Sequence, residues 1–192
     1  PAPIGKYFIP YFSEARIPKS INMITCGGQS SVPAIIEMKK VIKDIQYVEV
    51  ISSIASQSAG KATRENINEY IINTQRAIGE LSDINKNKVI INLNPSNPPV
   101  NMMNSIFFEC KRINLKKIRI ASSVLKKINK TIKRYIPGYN AKLFYQNNEN
   151  FFRVTIRVVG SGDYLSTFAG NLDIITSSSA YIGKLLNEKY NY

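Results

Sequence analysis

Histidine is missing altogether from this chain of 192 residues. Its absence excludes a Cys-His nucleophile dyad within the chain and any zinc site built on imidazole. Cysteine is scarce as well: Cys26 and Cys110 stand far apart, which is too few for a thiolate metal site. There is no GxxxxGK[ST] phosphate loop and no GxGxxG turn after a strand, so the usual nucleotide-binding fingerprints are lacking. Apolar runs last only a few residues, leaving nothing to span a membrane. The opening PAPIGKYFIP has neither the charged start nor the apolar stretch of a secretion signal. The expectation is a cytoplasmic, reducing setting with both thiols free.

Acidic residues are also few, 13 Asp and Glu against 26 Lys and Arg, for a formal charge of +13. Much of the excess lies between Lys111 and Arg134, where ten basic residues occur without one acid. In that segment Ile118, Ala121, Leu125, Ile128, Ile132 and Tyr135 recur at alternating spacings of three and four, the core stripe of an amphipathic helix. A basic face on such a helix is ordinarily a solvated one, with an acidic partner or nucleic acid as the lesser alternatives. What the chain does have is 44 % apolar residues, 10 % of all residues being aromatic, enough for one packed domain over residues 1–192.

The hexapeptide Thr25-Cys26-Gly27-Gly28-Gln29-Ser30 places a thiol on a glycine-rich turn. Ile21 to Thr25 reads as a short buried strand, and Ser30-Ser31-Val32-Pro33 as a helix entry with a serine cap and proline in the first turn. That helix is expected to run to about Asp44. Its free amide groups and positive dipole end would face Cys26, favouring the thiolate and offering donors to an oxyanion. A plain buried cysteine fits the same local pattern, and these residues alone leave both readings open.

Further along, Ile45 to Gln57 reads as a strand, Ser58 to Thr63 as a small-residue loop, and Arg64 to Leu81 as a helix with Ile67, Ile71, Ile78 and Leu81 on its inner face. Lys88 to Leu93 and Ser105 to Cys110 read as strands flanking a proline-rich irregular segment from Asn94. Ala141 to Gln146 and Phe151 to Val159 read as a hairpin turning at Asn147 to Asn150, and a last helix follows the Gly160-Ser161-Gly162 loop. The order predicts an α/β (α+β) fold, helices packed on a mixed sheet rather than a doubly wound nucleotide domain. Three polar loops, Ser58 to Asn66, Asn94 to Asn104 and Gly160 to Asn171, lie next to strand ends, where such folds place their sites.

Taken in order, Asn22 to Gln29, Ser53 to Gly60 with Thr63, Arg64 and Asn66, Asn94-Pro95 with Pro98-Pro99, Pro137-Gly138-Tyr139, and Tyr164-Leu165 with Ala169 to Ile174 resemble the acylating acetaldehyde dehydrogenases. The likeness is to their C-terminal catalytic and dimerisation half and covers nearly the whole chain. It implies a fold similar to the catalytic domain of glyceraldehyde-3-phosphate-dehydrogenase-like enzymes. It further implies oxidation of acetaldehyde with NAD and coenzyme A to acetyl-CoA and NADH. Cys26 would be the nucleophile, passing through a hemithioacetal and a thioester. Ser58, Ala59, Gly60, Lys61, Ala62, Thr63, Arg64, Glu65, Asn66 and Asn171 match positions that contact NAD. Asn104 falls where the family carries an aspartate proposed to assist proton transfer, and an amide cannot serve as a base. The resemblance also implies a homodimer and assembly with a 4-hydroxy-2-oxovalerate aldolase that passes on the small aldehyde. The N-terminal dinucleotide-binding domain is expected to be absent from this chain, leaving it inactive in isolation, or an assembly and binding module without catalysis.

Overall fold

A computed structural model describes residues 4–13, 17–146 and 149–190. Two short parallel strands, β1 (Lys6–Tyr7) and β2 (Ile21–Asn22), precede the central helix α1 (Cys26–Val41). Strand β3 (Ile45–Ala55), a 3-10 turn over Ser56–Ser58 and two helices, α2 (Lys61–Glu65) and α3 (Ile67–Ser82), follow. Then come β4 (Asn87–Asn94), β5 (Met102–Cys110), α4 (Leu115–Ile132), β6 (Tyr139–Phe144), β7 (Phe151–Val158) and α5 (Gly170–Tyr190). The last five strands form one mixed sheet in the order β4-β3-β5-β7-β6, with β3 and β4 parallel and the other pairs antiparallel. The predicted mixed sheet with packed helices is therefore the observed architecture.

One sheet face is apolar and buried because the strands alternate. Val48, Val50 and Ile54 of β3 lie beside Ile106 and Phe108 of β5, then Phe152, Val154 and Ile156 of β7. Against this face lies α1, which is buried nearly all round by α3, α4 and α5. Its small residues, Gly27, Gly28, Ser30, Ser31 and Ala34, let it sit this deep. The opposite face carries Ile51, Ser105, Phe107, Thr155, Arg153 and Phe144, partly or fully exposed, and among the described residues no helix packs on it. The basic helix α4 covers the free edge of β6: the Asn129 side chain donates to the Ala141 carbonyl and accepts from its N–H, both at 2.8 Å. That side chain does what a neighbouring strand would do, and so blunts the edge.

Several expected boundaries are corrected. Helix α1 begins at Cys26 and not at Ser30, and it ends at Val41 rather than Asp44. Thr25 is the cap, its Oγ1 accepting from the Gly28 N–H at 2.9 Å, so Pro33 lies inside the helix and not in its first turn. The strand expected over Ile21 to Thr25 shrinks to Ile21–Asn22, because Ile24 turns into the left-handed region (φ 62°). The loop from Ser58 contains α2, and the next helix starts at Ile67 after a break at Asn66. Asn104 belongs to β5 and not to a loop. Asn147 and Asn148 of the predicted hairpin turn lie outside the described residues. Among the described residues no helix is long and apolar enough to cross a membrane.

Candidate active site

The turn that presents Cys26 is built backwards from Ile24. A β-branched residue rarely adopts positive φ, and here the conformation is held from both sides. The Ile24 N–H donates to Asn22 Oδ1 and the Ile24 carbonyl accepts from Asn73 Nδ2, both at 2.8 Å. Asn73 is in turn held by the Tyr7 hydroxyl, which donates to its Oδ1 at 3.0 Å. Leaving Ile24, the chain enters the Thr25 cap. The Thr25 hydroxyl lies 2.8 Å from that of Thr74 on α3, tying the cap to the neighbouring helix.

Cys26 is thus the first residue of α1, and the backbone amides of Cys26 and Gly27 lie beside its sulfur. The hydroxyl of Tyr70 on α3 stands 3.9 Å from Sγ. Half of the expectation fails, however. Burial pushes the Cys26 thiol up to about 11, outweighing the Tyr70 hydroxyl and the backbone amides of Gly27 and Cys26, which favour the thiolate. By surface the residue is only half-buried, but its sulfur sits among protein atoms, and the charge feels that environment. Tyr70 is displaced in the same direction: burial first, then the adjacent sulfur, hold its phenol well above the ordinary tyrosine range.

Beneath the turn lies a polar floor. The Gly27 carbonyl accepts from the Ser30 and Ser31 hydroxyls at 2.9 and 2.7 Å and from Asn104 Nδ2 at 3.3 Å. Asn104 also donates to the Ser30 hydroxyl, and the Tyr139 hydroxyl donates to the Ser30 carbonyl. Next to Asn104 in the β3–β5 register is Ser52, whose buried Oγ has no hydrogen bond of ordinary geometry. Asn104 therefore engages the backbone that carries Cys26, as a donor.

The other predicted residues divide. Ala62, Thr63 and Asn66 line a cavity of about 430 Å³ together with Ile24, Thr25 and Tyr70, so they share a wall with the residue before Cys26 and with the tyrosine beside its sulfur. Glu69, Ile72, Asn73 and Arg76 complete it. Asn171, at the start of α5, is buried and donates through Nδ2 to the Ser58 carbonyl at 3.2 Å, while its Oδ1 is left without a partner. Ser58 turns its own hydroxyl to the Ala55 carbonyl. Arg64 folds back onto the Ser56 and Ala59 carbonyls, and Lys61 pairs with Glu65, so these side chains shape the loop. Gly60 is open on the surface, with nothing near its missing Cβ. The basic helix starts at the far end of α1, where Lys117 pairs with Asp44. An α-helix the length of α1 extends roughly 24 Å, which separates that end from the thiol. Among the described residues no cluster of three acidic or cysteine side chains could hold a metal ion.

Sequence reasoning did not single out Tyr70, Ser52, Asn22 or Asn73. Tyr70 escaped because the buried face of α3 holds Tyr70, Thr74, Ala77, Ile78 and Ser82. Thr74 and Ser82 on that face broke the apolar periodicity and drew attention to Ile67 and Ile71 instead.

Known proteins supply an independent comparison. A family described as "Prokaryotic acetaldehyde dehydrogenase, dimerisation" matches residues 26–166. An acetaldehyde dehydrogenase of Pectobacterium atrosepticum is 38 % identical over 191 residues, covering 97 % of this chain and 64 % of its own length. One from Burkholderia pseudomallei is 39 % identical over 183 residues, covering 93 % and 60 %. The chain spans about three fifths of the relatives it matches. Among solved structures, aspartate semialdehyde dehydrogenase II of Vibrio cholerae superposes with a TM-score of 0.56 at 12 % identity, covering 88 % of this chain and 59 % of that one. A probable aspartate-semialdehyde dehydrogenase from Pseudomonas aeruginosa gives 0.55 at 10 %, covering 82 % and 61 %. At that identity the likeness concerns the fold alone. By the extent of the match to its sequence, this chain belongs to the prokaryotic acetaldehyde dehydrogenase dimerisation-domain family.

Proposed function

We propose that this chain is the catalytic and dimerisation half of an acylating acetaldehyde dehydrogenase in which Cys26 is the nucleophile. The observation that carries the reading is the placement of Cys26 as the first residue of α1, under amide and hydroxyl donors and beside a cavity walled by Ala62, Thr63 and Asn66. The sulfur adds to the aldehyde carbon to give a hemithioacetal on Cys26, and oxidation of that carbon leaves a thioester on the same sulfur. Amides in the first turn of α1 are the donors nearest the developing oxyanion. Asn104 holds the Gly27 carbonyl and the turn in place, and the proton of the hemithioacetal goes to a group other than its amide. The residues around the loop fit a nicotinamide: Asn171 offers a buried acceptor without a partner, suited to a carboxamide N–H, and Ala62 and Thr63 offer a partly apolar wall. When bound, NAD supplies the hydride acceptor and coenzyme A the thiol that removes the acyl group. A 4-hydroxy-2-oxovalerate aldolase, as the source of the aldehyde, belongs to the same reading.

The direct test is to give the full-length protein acetaldehyde and NAD without coenzyme A, quench, and map the peptides by mass. An acetyl group on the Cys26 peptide, discharged on adding coenzyme A, is expected. A folded protein that forms NADH with acetaldehyde and coenzyme A but never carries the acyl group on Cys26 would overturn the nucleophile. One that forms neither product nor adduct is an assembly module.

We place the second copy of a homodimer on the bare sheet face, where Ser105 sits mid-strand between Ile51 and Thr155. Ser105→Arg leaves the lone subunit nearly unaffected but traps a guanidinium between two sheets. Burying an unpaired charge costs about 3–5 kcal/mol, or a dimer dissociation constant raised by more than about 100-fold. Sedimentation should then show monomers with an unchanged circular dichroism spectrum, whereas a dimer of undiminished affinity would rule this face out.

A further inference from the structure

With histidine absent, some other side chain must bias the ionisation of the Cys26 sulfur, and Tyr70 is positioned to do so. Its ring is held in the core cluster between α1 and α3, and its hydroxyl reaches to 3.9 Å from Sγ. Gly27 makes the approach possible: a Cβ there would fall inside contact distance of the Tyr70 hydroxyl and 2.5 Å from Ser52 Oγ. Beside the phenol oxygen is the Ser52 hydroxyl, fully buried and without an ordinary partner, in the position of a donor towards Tyr70.

We propose that Tyr70 is a further catalytic residue, its hydroxyl donating to the Cys26 thiolate, with Ser52 behind it as a positioning residue that donates to the phenol oxygen. In the resting thiol the S–H points to the tyrosine oxygen. Once the proton has left, the phenol rotates its own hydrogen onto the sulfur and supplies a charge-assisted hydrogen bond. No proton is transferred from the phenol, since burial and the neighbouring sulfur keep it neutral far beyond physiological pH. A donor on the phenol oxygen polarises its O–H, which strengthens the bond to sulfur. The inference deepens the reading of Cys26 as nucleophile, but its test reads ionisation and does not require turnover, so the two can fail separately.

The test is the pH dependence of iodoacetamide alkylation at Cys26, followed by peptide mass mapping, with Cys110 as the internal reference. Losing one hydrogen bond to a charged group corresponds to a shift of roughly one unit or more. In Tyr70→Phe the Cys26 profile therefore moves to higher pH by about one unit. At fixed pH the thiolate fraction falls about tenfold. The more basic thiolate is about threefold more reactive, so the observed rate falls about threefold. Ser52→Ala moves the profile the same way by less, and Cys110 is unaffected in both. An unmoved Cys26 profile in folded Tyr70→Phe overturns the proposal, as does an equal change at Cys110, which would signify general loosening. Should Tyr70→Phe not fold, 3-fluorotyrosine placed at position 70 keeps the bulk and donates more strongly. It should draw the Cys26 profile to lower pH, and no displacement would overturn the proposal equally.

Discussion

Replacing Cys26 by serine in the full-length protein is expected to lower coenzyme A-dependent NADH formation from acetaldehyde by on the order of 10⁴-fold or more, the scale on which covalent enzymes lose activity without their nucleophile. The size of the loss follows from what surrounds position 26. A serine hydroxyl needs a base to attack a carbonyl, and this chain has no histidine to act as one. The donors gathered at the site, Tyr70 and the first amides of α1, favour an anion already formed and remove no proton. A thiol can use such a setting, because even with its ionisation pushed up to about 11 a small thiolate fraction persists near neutrality. Stability should change little, since the hydroxyl replaces a half-buried thiol of similar shape. The measurement is steady-state NADH formation alongside thermal melting. Activity within tenfold of the parent would remove Cys26 from the chemistry, and lost activity with lost fold is separated from the expected result by the melting curve.

Much of the frame was readable from the chain because strands and the basic helix obey simple periods. The three-four spacing in α4 put Ile118, Leu125 and Ile128 inside without reference to any partner. The cysteine turn was readable too, but its mechanics were not. Glycine is a poor helix residue and serine a good cap, so the helix was expected to begin only at Ser30. Burial against three helices and a sheet overrides that propensity and rewards small residues instead. Asn104 read as loop because a polar residue facing a sheet core breaks the pattern, and only its partners across the interface, the Gly27 carbonyl and Ser30, account for it. The stretch from Ser58 was read as a loop, and it holds the short helix α2. Which of its side chains line the cavity, and which fold back as Arg64 does, depends on contacts made after the chain has closed.

Gly27→Ala is the substitution in which these threads meet. Taken as a helix position, alanine should stabilise by up to about 1 kcal/mol over glycine. Gly183 in α5, with nothing near its missing Cβ, is a site where that gain should appear. At Gly27 the methyl meets the Tyr70 hydroxyl and lies 2.5 Å from Ser52 Oγ. Neither obstacle is a flexible chain end: Tyr70 is a ring fixed in the core and Ser52 is on a central strand. Overpacking of this kind costs typically 1–3 kcal/mol, occasionally more, so the clash outweighs the helix gain. A net loss of about 2 kcal/mol would lower the melting temperature by roughly 4–8 °C for a chain of this size. Whatever relaxation follows must carry the phenol away from Sγ, so Cys26 should also become harder to alkylate. Combining Gly27→Ala with Tyr70→Phe removes the closest obstacle, and the double variant should be less destabilised than the sum of the singles, the mark of residues in contact. A Gly27→Ala protein as stable as Gly183→Ala, or strict additivity with Tyr70→Phe, would mean that the hydroxyl does not stand over the helix start, and with it would go the physical basis for tuning the sulfur through Tyr70.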